Sequence, residues 1–460
     1  MFFEVVICAF IGIVAVLAIL GLWRKKYSRF VPDNKHSVFK VLVDVMDSIL
    51  FVTSGKKNAL HVYIVKYFKE KSKKSRQQPL FTHWLCGVRL VIIHKAEAVK
   101  EFFKEKRIIE ISDFHDFFKP YVGTGILTCG GSQWKAQRKL LSAGFHSSML
   151  KGYLVVINDH AQKLVEILHE ETGKDFTSVE SLLSLCSLDI VCESILGVKI
   201  GAMQKEAEEY VSSLHKLLEV GMSRIWKFWQ WSDFIFFHLS NSYRQILPHL
   251  RIAHGFSRSI IKERKGRYMN GEMGDDSRRP KCLLDVLLKL HIEDKVLDEE
   301  GVRQEVDTFI VGGHDTVTVA VQWVLYLIGL YPEVQEKLHQ ELDSKLGADS
   351  KGPLSFSDLS ELKYLDCVVK ECFRIYPPVP IIARKVPEEI TICGYTIPKR
   401  TTVVVSPFLV HRDEDVFPDP EKFDPDRFLP ENSARIPECA YIPFLRDRET
   451  ALDAVLVTWK

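Results

Sequence analysis

The sequence predicts one large, mainly α-helical domain with small β elements. Apolar residues recur at helical spacing over most of the chain, which is the primary signal for amphipathic helices. The branched composition of strands occurs in residues 85–94 (LCGVRLVIIH), and residues 391–402 form a predicted hairpin around Gly394. The 460 residues are 46% hydrophobic and 27% charged, as in ordinary globular proteins, and no internal repeat divides them.

Helical periodicity also places the individual elements. It covers residues 95–106, 133–141, 151–171, 178–196, 205–220, 250–265, 299–331, 333–346 and 356–375. Residues 317–330 are apolar nearly all round, which predicts a buried core helix. Residues 225–239 (IWKFWQWSDFIFFHL) are dense in aromatic rings, which favours either a core segment or a segment that dips into a membrane. Residues 268–281 are predicted to form an exposed loop.

The N-terminus predicts a membrane anchor. Residues 5–23 carry no charge, and Arg24, Lys25 and Lys26 follow at once. Such a run is about long enough to cross the hydrocarbon core, and the trailing basic residues place the rest of the chain in the cytosol. A cleaved signal peptide is the alternative. Residues 1–26 are therefore assigned to the anchor and its basic flank, and residues 27–79 to a linker and a first helical region.

Charge and cysteine content exclude several classes of function. The formal net charge is only +2, whereas a nucleic-acid-binding domain is clearly basic, so no nucleic-acid partner is expected. The ten cysteines show no regular spacing and no Cys-x-x-Cys motif. This argues against a zinc ribbon and favours reduced, buried thiols over a disulfide framework.

The first chemical motif is Gly312-Gly313-His314-Asp315-Thr316, inside the longest predicted helix. Two adjacent glycines cost a helix about 1 kcal/mol each relative to alanine, but they allow another group to approach the backbone closely. A following threonine can donate a hydrogen bond back to a carbonyl. Taken alone, the glycine pair is more often explained by a helix kink or a tight helix crossing, and a metal-ligating role for the histidine is a further alternative.

Two other motifs have helical spacing. Glu371 and Arg374 lie three positions apart, so they can pair on one face of a helix. Trp134 and Arg138 lie one turn apart and are both hydrogen-bond donors. Each pattern alone is common on amphipathic helices, where exposed pairs contribute little.

Taken together, the motifs resemble the cytochrome P-450 family of haem-thiolate monooxygenases. The resemblance is carried by ECFR at residues 371–374, FDPDRF at 423–428 and YIPF at 441–444, and it covers residues 80–444. It implies the cytochrome P-450 fold, a haem cofactor, a flavoprotein reductase and a lipophilic substrate. The GHDT sequence at residues 313–316 is most like the animal family-four branch, associated with ω-hydroxylation of fatty acids and related lipids. The anchor fits the family's members in the endoplasmic reticulum membrane.

The resemblance also implies roles for single residues. Gly312 and Gly313 would form the oxygen-binding groove, with Thr316 donating a hydrogen bond there and Asp315 relaying protons. Trp134, Arg138 and Arg384 would contact the haem propionates. Glu371, Arg374 and Arg427 would form a buried network that holds the segment bearing the haem ligand.

The resemblance stops at Phe444. The family continues Phe-x-x-Gly-x-Arg-x-Cys-x-Gly, with the cysteine ligating iron, whereas here the ligand position is Ala451 and no cysteine follows Cys439. Residues 445–460 form an atypical tail, so we expect the haem-ligand loop and the helix after it to be missing. Gly312 also replaces a glutamate that can bond covalently to haem in the family-four branch. The sequence therefore predicts little or no monooxygenase activity, and the alternative is a non-enzymatic, membrane-anchored isoform that binds lipid or partners.

Overall fold

Helices dominate the structure, a computed structural model that describes residues 59–85, 88–105, 110–145, 147–271, 282–347 and 352–444. The helices are α1 Ala59–Lys74, α2 Ala96–Lys104, α3 Lys119–Val122, α4 Gly131–Leu141, α5 Ser147–Glu171, α6 Val179–Ser194, α7 Glu208–Trp226, α8 Asn241–Met269, α9 Leu283–Ile292, α10 Glu299–Leu330, α11 Pro332–Leu346, α12 Phe356–Glu361, α13 Lys363–Ile375, α14 Pro407–Val410 and α15 Pro430–Ser433. Turns of 3-10 helix occupy Asp113–Phe118, Ser142–Phe145, Ala202–Gln204, Phe228–Gln230 and Pro425–Phe428, and a π-helical turn occupies Ile235–Leu239.

Two small sheets accompany the helices. The strands are β1 Leu80–Leu85, β2 Val88–Ile93, β3 Glu110–Ile111, β4 Ile382–Lys385, β5 Ile390–Ile392, β6 Tyr395–Ile397 and β7 Thr402–Val405. The larger sheet has the order β1-β2-β7-β4-β3, in which β2 and β7 are parallel and the other pairs antiparallel. β5 and β6 form the predicted hairpin. Its turn residues Cys393 and Gly394 both have positive φ, which suits a tight two-residue turn.

Helix α10 runs through two hydrophobic cores. Its N-terminal half contributes Val306, Phe309 and Ile310 to a core shared with α6, α7, α8 and α9. Its C-terminal half contributes Val317 and Leu327 to a second core, shared with α11 and α13. The helix begins cleanly because the Asp298 carboxylate accepts the Gly301 N–H at 2.7 Å, which satisfies one of the free amides of the first turn.

The prediction that residues 317–330 are a buried core helix is wrong in part. Leu327 is buried, but Leu325, Tyr326 and Leu330 are exposed. They lie on a side of α10 that no described element covers, because the second core contacts only the opposite side of the helix. Apolar composition predicted burial here, whereas the neighbouring elements decide which face is covered.

Residues 356–375 form two helices rather than the single predicted one. The break is at Leu362, whose ψ of 73° is not helical and whose side chain is buried. The Glu341 carboxylate on α11 accepts the N–H groups of Tyr364 and Leu365 at 2.7 and 2.9 Å. A side chain distant in sequence therefore caps α13, which no local pattern reveals.

The aromatic segment at residues 225–239 is divided between core and surface. Phe236 is buried, whereas Phe234 and Leu239 are each 66% exposed. Arg224 is buried beneath the segment with its guanidinium 4.6 Å from the Phe117 ring and 4.0 Å from the Phe236 ring. This arrangement holds one face of the segment against the domain and leaves the other face exposed.

Within the described ranges, no single helix is long and apolar enough to cross a bilayer, and α10 with α11 passes on length and composition only as a pair bent by 106°. The predicted anchor at residues 5–23 lies outside the described residues.

Candidate functional site

The Gly312–Thr316 segment lies on the middle turns of α10, which remains helical from Glu299 to Leu330. The Thr316 hydroxyl donates to the Gly312 carbonyl at 2.6 Å, and the Thr318 hydroxyl donates to the His314 carbonyl at 2.9 Å. Such back-bonding from hydroxyls weakens the i→i−4 ladder locally. At the predicted groove the backbone carbonyls thus accept extra hydrogen bonds from side chains, but α10 stays continuous there.

The same turns are crossed by α6. The Ser187 hydroxyl donates to the His314 carbonyl at 3.1 Å, and Ser184 Oγ is 2.9 Å from His314 Nε2. Gly313 is buried at this crossing, so the tight helix contact offered above as an alternative is present. His314 is fully buried, and no group of three or more His, Cys, Asp or Glu side chains in the described part of the chain could hold a metal. His314 instead has a structural role, because its ring forms a hydrogen bond with Ser184 across the α6–α10 contact.

Asp315 lies near titratable residues of α6 and α7. Burial raises the pKa of its carboxyl; His215 on α7 opposes this shift and Glu180 on α6 adds to it. His215 is exposed, and its ring stacks 6.4 Å from that of His314. A partly buried acid with a raised pKa and a titratable neighbour at the surface is suited to proton transfer.

The predicted propionate contacts lie on two elements that flank β3. Trp134 and Arg138 are one turn apart on α4, and both are partly buried. Arg384 lies on β4, which pairs with β3. Glu110 of β3 abuts the first turn of α4 so closely that a Cβ on Gly131 would lie 2.5 Å from its Oε1. Strand β3 therefore links the two sets of cationic and N–H donors.

The loop at residues 123–130 is held against α10 by hydrogen bonds. The Thr124 N–H and hydroxyl both donate to Gln304 Oε1, at 3.0 and 2.9 Å, and the Ile126 N–H donates to Glu305 Oε2 at 3.2 Å. A Cβ on Gly125 would lie 2.3 Å from Thr308 Oγ1 and 2.9 Å from the Gln304 carbonyl oxygen. Only glycine permits this close approach.

Gly125→Ala is therefore expected to destabilise the protein by about 1–3 kcal/mol, the usual cost of overpacking. Gly255→Ala is the matched control, because Gly255 is exposed within α8 and a Cβ there would meet nothing within 4 Å. That change should stabilise the helix by up to about 1 kcal/mol. Thermal unfolding of the two variants checks the prediction, and equal midpoints would contradict the packing argument.

Glu371, Arg374 and Arg427 come together in the structure. Glu371 and Arg374 are fully buried and form a two-point ion pair, with Arg374 Nε 2.7 Å from Oε2 and Nη2 2.8 Å from Oε1. Arg427 Nε lies 3.5 Å from Glu371 Oε1. Arg374 also donates to three backbone carbonyls, those of His411, Pro420 and Lys422, at 2.8–3.1 Å. The network thus joins α13 to residues 411–427.

His411 is a site residue that the sequence did not reveal. It is fully buried, its Nε2 accepts the Ile442 N–H at 2.8 Å, and its ring stacks on Tyr441. Burial, reinforced by the charges of Arg374 and Arg412, lowers its pKa to about 3, so the imidazole is neutral and can accept. Through this bond the Glu371 network is connected to the YIPF segment. A lone histidine in an aromatic context carries no sequence signal for that role.

Glu305 is a second site residue that the sequence analysis did not identify. It is 2% exposed on α10, and its Oε1 has no hydrogen-bond partner. Burial raises its pKa to about 7, although the Ile126 N–H lowers it. A carboxyl with these properties holds or releases a proton near neutral pH. Its spacing of seven residues before Gly312 was the available signal, since both lie on one face of α10.

Comparison with known proteins assigns the family. The sequence model of the cytochrome P450 family matches residues 44–444. The chain belongs to the cytochrome P450 family. It is 37% identical to mouse Cytochrome P450 4V2 over 382 residues, covering 81% of this chain and 72% of that protein. It is 36% identical to human Cytochrome P450 4V2 over 384 residues (82% and 73%), and 35% identical to Drosophila melanogaster Cytochrome P450 4c3 over 375 residues (78% and 70%).

These relatives confirm the family-four branch and the mainly helical P450 fold. Members of the cytochrome P450 family are haem-dependent monooxygenases, so the expected cofactor and reaction class are confirmed at the level of the family. The matched region ends at residue 444, where the resemblance seen in the sequence also stops. The atypical tail at residues 445–460 lies outside both the match and the described residues.

The residues present fit the propionate-binding part of a haem site but do not provide the iron ligand. Two arginines and an indole N–H are suitable partners for two propionates. The iron ligand of this family is a thiolate, and position 451 is alanine. Cys439 lies buried in the core formed by the sheet strands, whereas the cores around α10 do not include it. Burial raises the pKa of Cys129 and Cys282 to about 12, which opposes thiolate formation. Position 451 therefore supplies no thiolate.

Proposed function

We propose that this chain has the scaffold of a family-four monooxygenase for a lipophilic small molecule, such as a fatty acid or related lipid, a hormone or a xenobiotic. The observation that carries the proposal is the placement of Asp315 and Thr316 beside the glycine pair of α10. The relatives support the family-four branch, and the substrate class is what the resemblance to that branch implies. The organisation follows the sequence boundaries: an anchor (1–26), a linker and first helical region (27–79), a catalytic-type domain (80–444) and the tail (445–460).

The proposed site roles follow from donors, acceptors and burial. Trp134, Arg138 and Arg384 would hold the propionates of a haem, which in this family supplies the oxygen chemistry. Thr316 holds its proton at a hydroxyl already oriented by the Gly312 carbonyl. Asp315 exchanges protons through a carboxyl whose pKa is raised by burial.

This chain is proposed to carry out little or no monooxygenation. In this family a thiolate ligand would supply the iron with the electron density that the oxygen chemistry requires. The side chain of Ala451 has no donor atom, and Trp134, Arg138 and Arg384, which would hold the propionates, would not ligate the iron. The described scaffold keeps the proton-holding groups Asp315 and Thr316, whereas position 451 lacks the iron ligand.

The proposed location is the endoplasmic reticulum membrane, with the catalytic-type domain on the cytosolic side. The exposed rings of Phe228, Trp229 and Phe234 offer a second membrane contact, because aromatic side chains favour the interfacial region. A flavoprotein reductase is the proposed electron-donating partner of the complete enzyme type. No nucleic-acid partner is proposed, because the net charge is near neutral.

The ferrous–carbon monoxide absorption spectrum of the chain in membranes tests the proposal. We expect either no haem band or a band typical of a nitrogen ligand. Mouse Cytochrome P450 4V2, expressed in the same way, is the positive control for thiolate ligation. A red-shifted thiolate-type Soret band from this chain would mean that another cysteine binds iron, and the proposed inactivity would be wrong.

A non-enzymatic isoform that binds lipid or membrane partners is the second candidate. It is favoured by one combination of observations: position 451 is alanine in the sequence, while the Glu371–Arg374 pair is formed in the structure. Haem-free binding of a fluorescent fatty acid to the membrane-bound chain would support this candidate. Stoichiometric haem with thiolate ligation would exclude it.

A further inference from the structure

A cleft of about 380 Å³ lies between α1 and residues 409–422. Its volume is within the usual range for a small-molecule site. Six cationic and four carboxylate side chains line it, which gives the lining a net formal charge of +2. The cations are Lys69, Lys73, Arg76, Lys95, Arg412 and Lys422. None of the residues assigned to the haem or to proton transfer lines this cleft, so the proposed monooxygenase scaffold does not account for it.

Arg412 is a buried cation of the cleft with an incomplete set of partners. Its side chain is only 6% exposed, and its guanidinium lies 3.8 Å from the centre of the Phe408 ring. Nε pairs with Glu421 Oε1 at 3.0 Å and Nη1 donates to the Phe408 carbonyl at 3.3 Å, whereas Nη2 has no hydrogen-bond partner in the described part of the chain. Burial lowers the pKa of Arg412, and Glu421 offsets this shift only in part. The guanidinium therefore keeps donors for a further anion.

Two lysines of α1 add positive charge on the other side of the cleft. Lys69 and Lys73 lie one turn apart on the helix, and both line the cleft. Lys69 Nζ is 2.8 Å from Glu421 Oε1, the oxygen that Arg412 also contacts. Lys73 is exposed and forms no ion pair with any described residue. These three cations therefore have a single carboxylate between them. The other three each have a carboxylate of their own: Arg76 with Glu414, Lys95 with Asp413 and Lys422 with Asp424.

We propose that this cleft binds the phosphate group of a phosphate ester, held by the guanidinium of Arg412 and the ammonium groups of Lys69 and Lys73. A phosphate monoester carries about −1.5 to −2 charges at pH 7, which matches the charge left on these three cations after pairing with Glu421. The planar guanidinium can donate to two phosphate oxygens at once. The Glu421 side chain is 53% exposed, so it can move aside for the ligand. The cleft is larger than a phosphate ion and has room for the esterified group.

A purely structural role does not account for all of these cations. The ion pairs of Lys69 and Arg76 already join the α1 region to residues 414–421, whereas Lys73 and the Nη2 group of Arg412 add nothing to that connection. Residues 66–76 also contain six basic side chains and only one acidic one, which attracts anions toward the cleft. A soluble phosphate ester and an anionic lipid headgroup present the same group to the site. The proposal does not depend on whether the chain binds haem.

Hydrogen exchange measured by mass spectrometry on the full chain in detergent tests the proposal. Glycerol 3-phosphate should slow amide exchange in residues 66–76 and 409–422 in a saturable manner, and glycerol should not. Arg412→Lys keeps the charge but loses the planar fork, so it should raise the concentration for half-maximal protection by about tenfold. Lys73→Met, at an exposed position that leaves the fold intact, should raise it by about threefold. Lys74→Met is the matched control, because Lys74 is exposed on α1 but does not line the cleft, and it should behave like the parent chain.

The same segments are then followed in phosphatidylcholine nanodiscs with and without phosphatidic acid. Protection by phosphatidic acid but not by glycerol 3-phosphate, with the same loss in Lys73→Met, would support the proposal and assign the site to a lipid headgroup. Equal protection by succinate, a dicarboxylate of similar charge, would show that the cleft does not recognise phosphate. Equal weakening in Lys73→Met and Lys74→Met would mean that general surface charge attracts the ligand. Either of these two results, or exchange unchanged by every phosphate ligand, would overturn the proposal.

Discussion

Replacing Arg374 by methionine is expected to lower the free energy of unfolding by about 3–5 kcal/mol, the typical cost of breaking a buried ion pair by removing one partner. The change leaves the Glu371 carboxyl buried without its two-point partner. It also removes the donor to the His411, Pro420 and Lys422 carbonyls. Chemical denaturation followed by circular dichroism measures the effect.

Arg267→Met provides the matched control. Arg267 pairs with Glu263 one turn away on α8, and both side chains are nearly half exposed. Such surface pairs contribute roughly 0.3–0.5 kcal/mol, so the control should be almost neutral. If Arg374→Met and Arg267→Met cost the same, the Glu371 network does not hold residues 411–427 against α13.

Glu305→Gln is expected to make stability less sensitive to pH. Burial raises the pKa of Glu305 from 4.5 to about 7. Between these values the unfolded chain has released the proton and the folded chain retains it, so stability falls as pH rises. The pKa difference corresponds to about 3 kcal/mol. Glutamine resembles the protonated acid and keeps an acceptor for the Ile126 N–H, so it avoids this loss.

The difference in unfolding free energy between Glu305→Gln and the parent chain should therefore be small near pH 4.5, grow up to pH 7 and remain constant above it. Asp307, whose pKa burial also raises to about 7, is present in both proteins and cancels in the comparison. Glu170→Gln, which removes the same charge from the exposed face of α5, is the matched control. A difference independent of pH would mean that Glu305 is ionised in the folded protein throughout.

Glu305 and Arg374 each hold a different segment of the candidate site against a helix. Glu305 ties the loop at residues 123–130 to α10, and Arg374 ties residues 411–422 to α13. Both connections are intact in a chain whose position 451 lacks a thiol. The supports of the site thus form independently of the residue that would ligate iron, which is why scaffold and chemistry can be separated by experiment.

The local sequence pattern was sufficient to predict most helices, the hairpin at Gly394 and the pairing of Glu371 with Arg374. Helical spacing places these side chains on one face whatever surrounds them. It was insufficient at Leu362, where Glu341 of another helix caps α13 and divides a continuous pattern. It was also insufficient for His411, whose role depends on Ile442 being folded onto it.

The sequence by itself determined the family, the positions of the glycine pair and the ion-pair motif, and the absence of cysteine at position 451, because each is a property of residue order. Tertiary structure decided which apolar faces are covered, which carboxyls are buried and which titratable groups meet. Leu325 and Leu327 are equally apolar, yet one is exposed and the other buried. Glu305 and Glu300 lie on one helix, yet burial raises the pKa of the first and Arg303 lowers that of the second. Burial and pairing depend on neighbours distant along the chain, and only the folded packing brings those neighbours into contact.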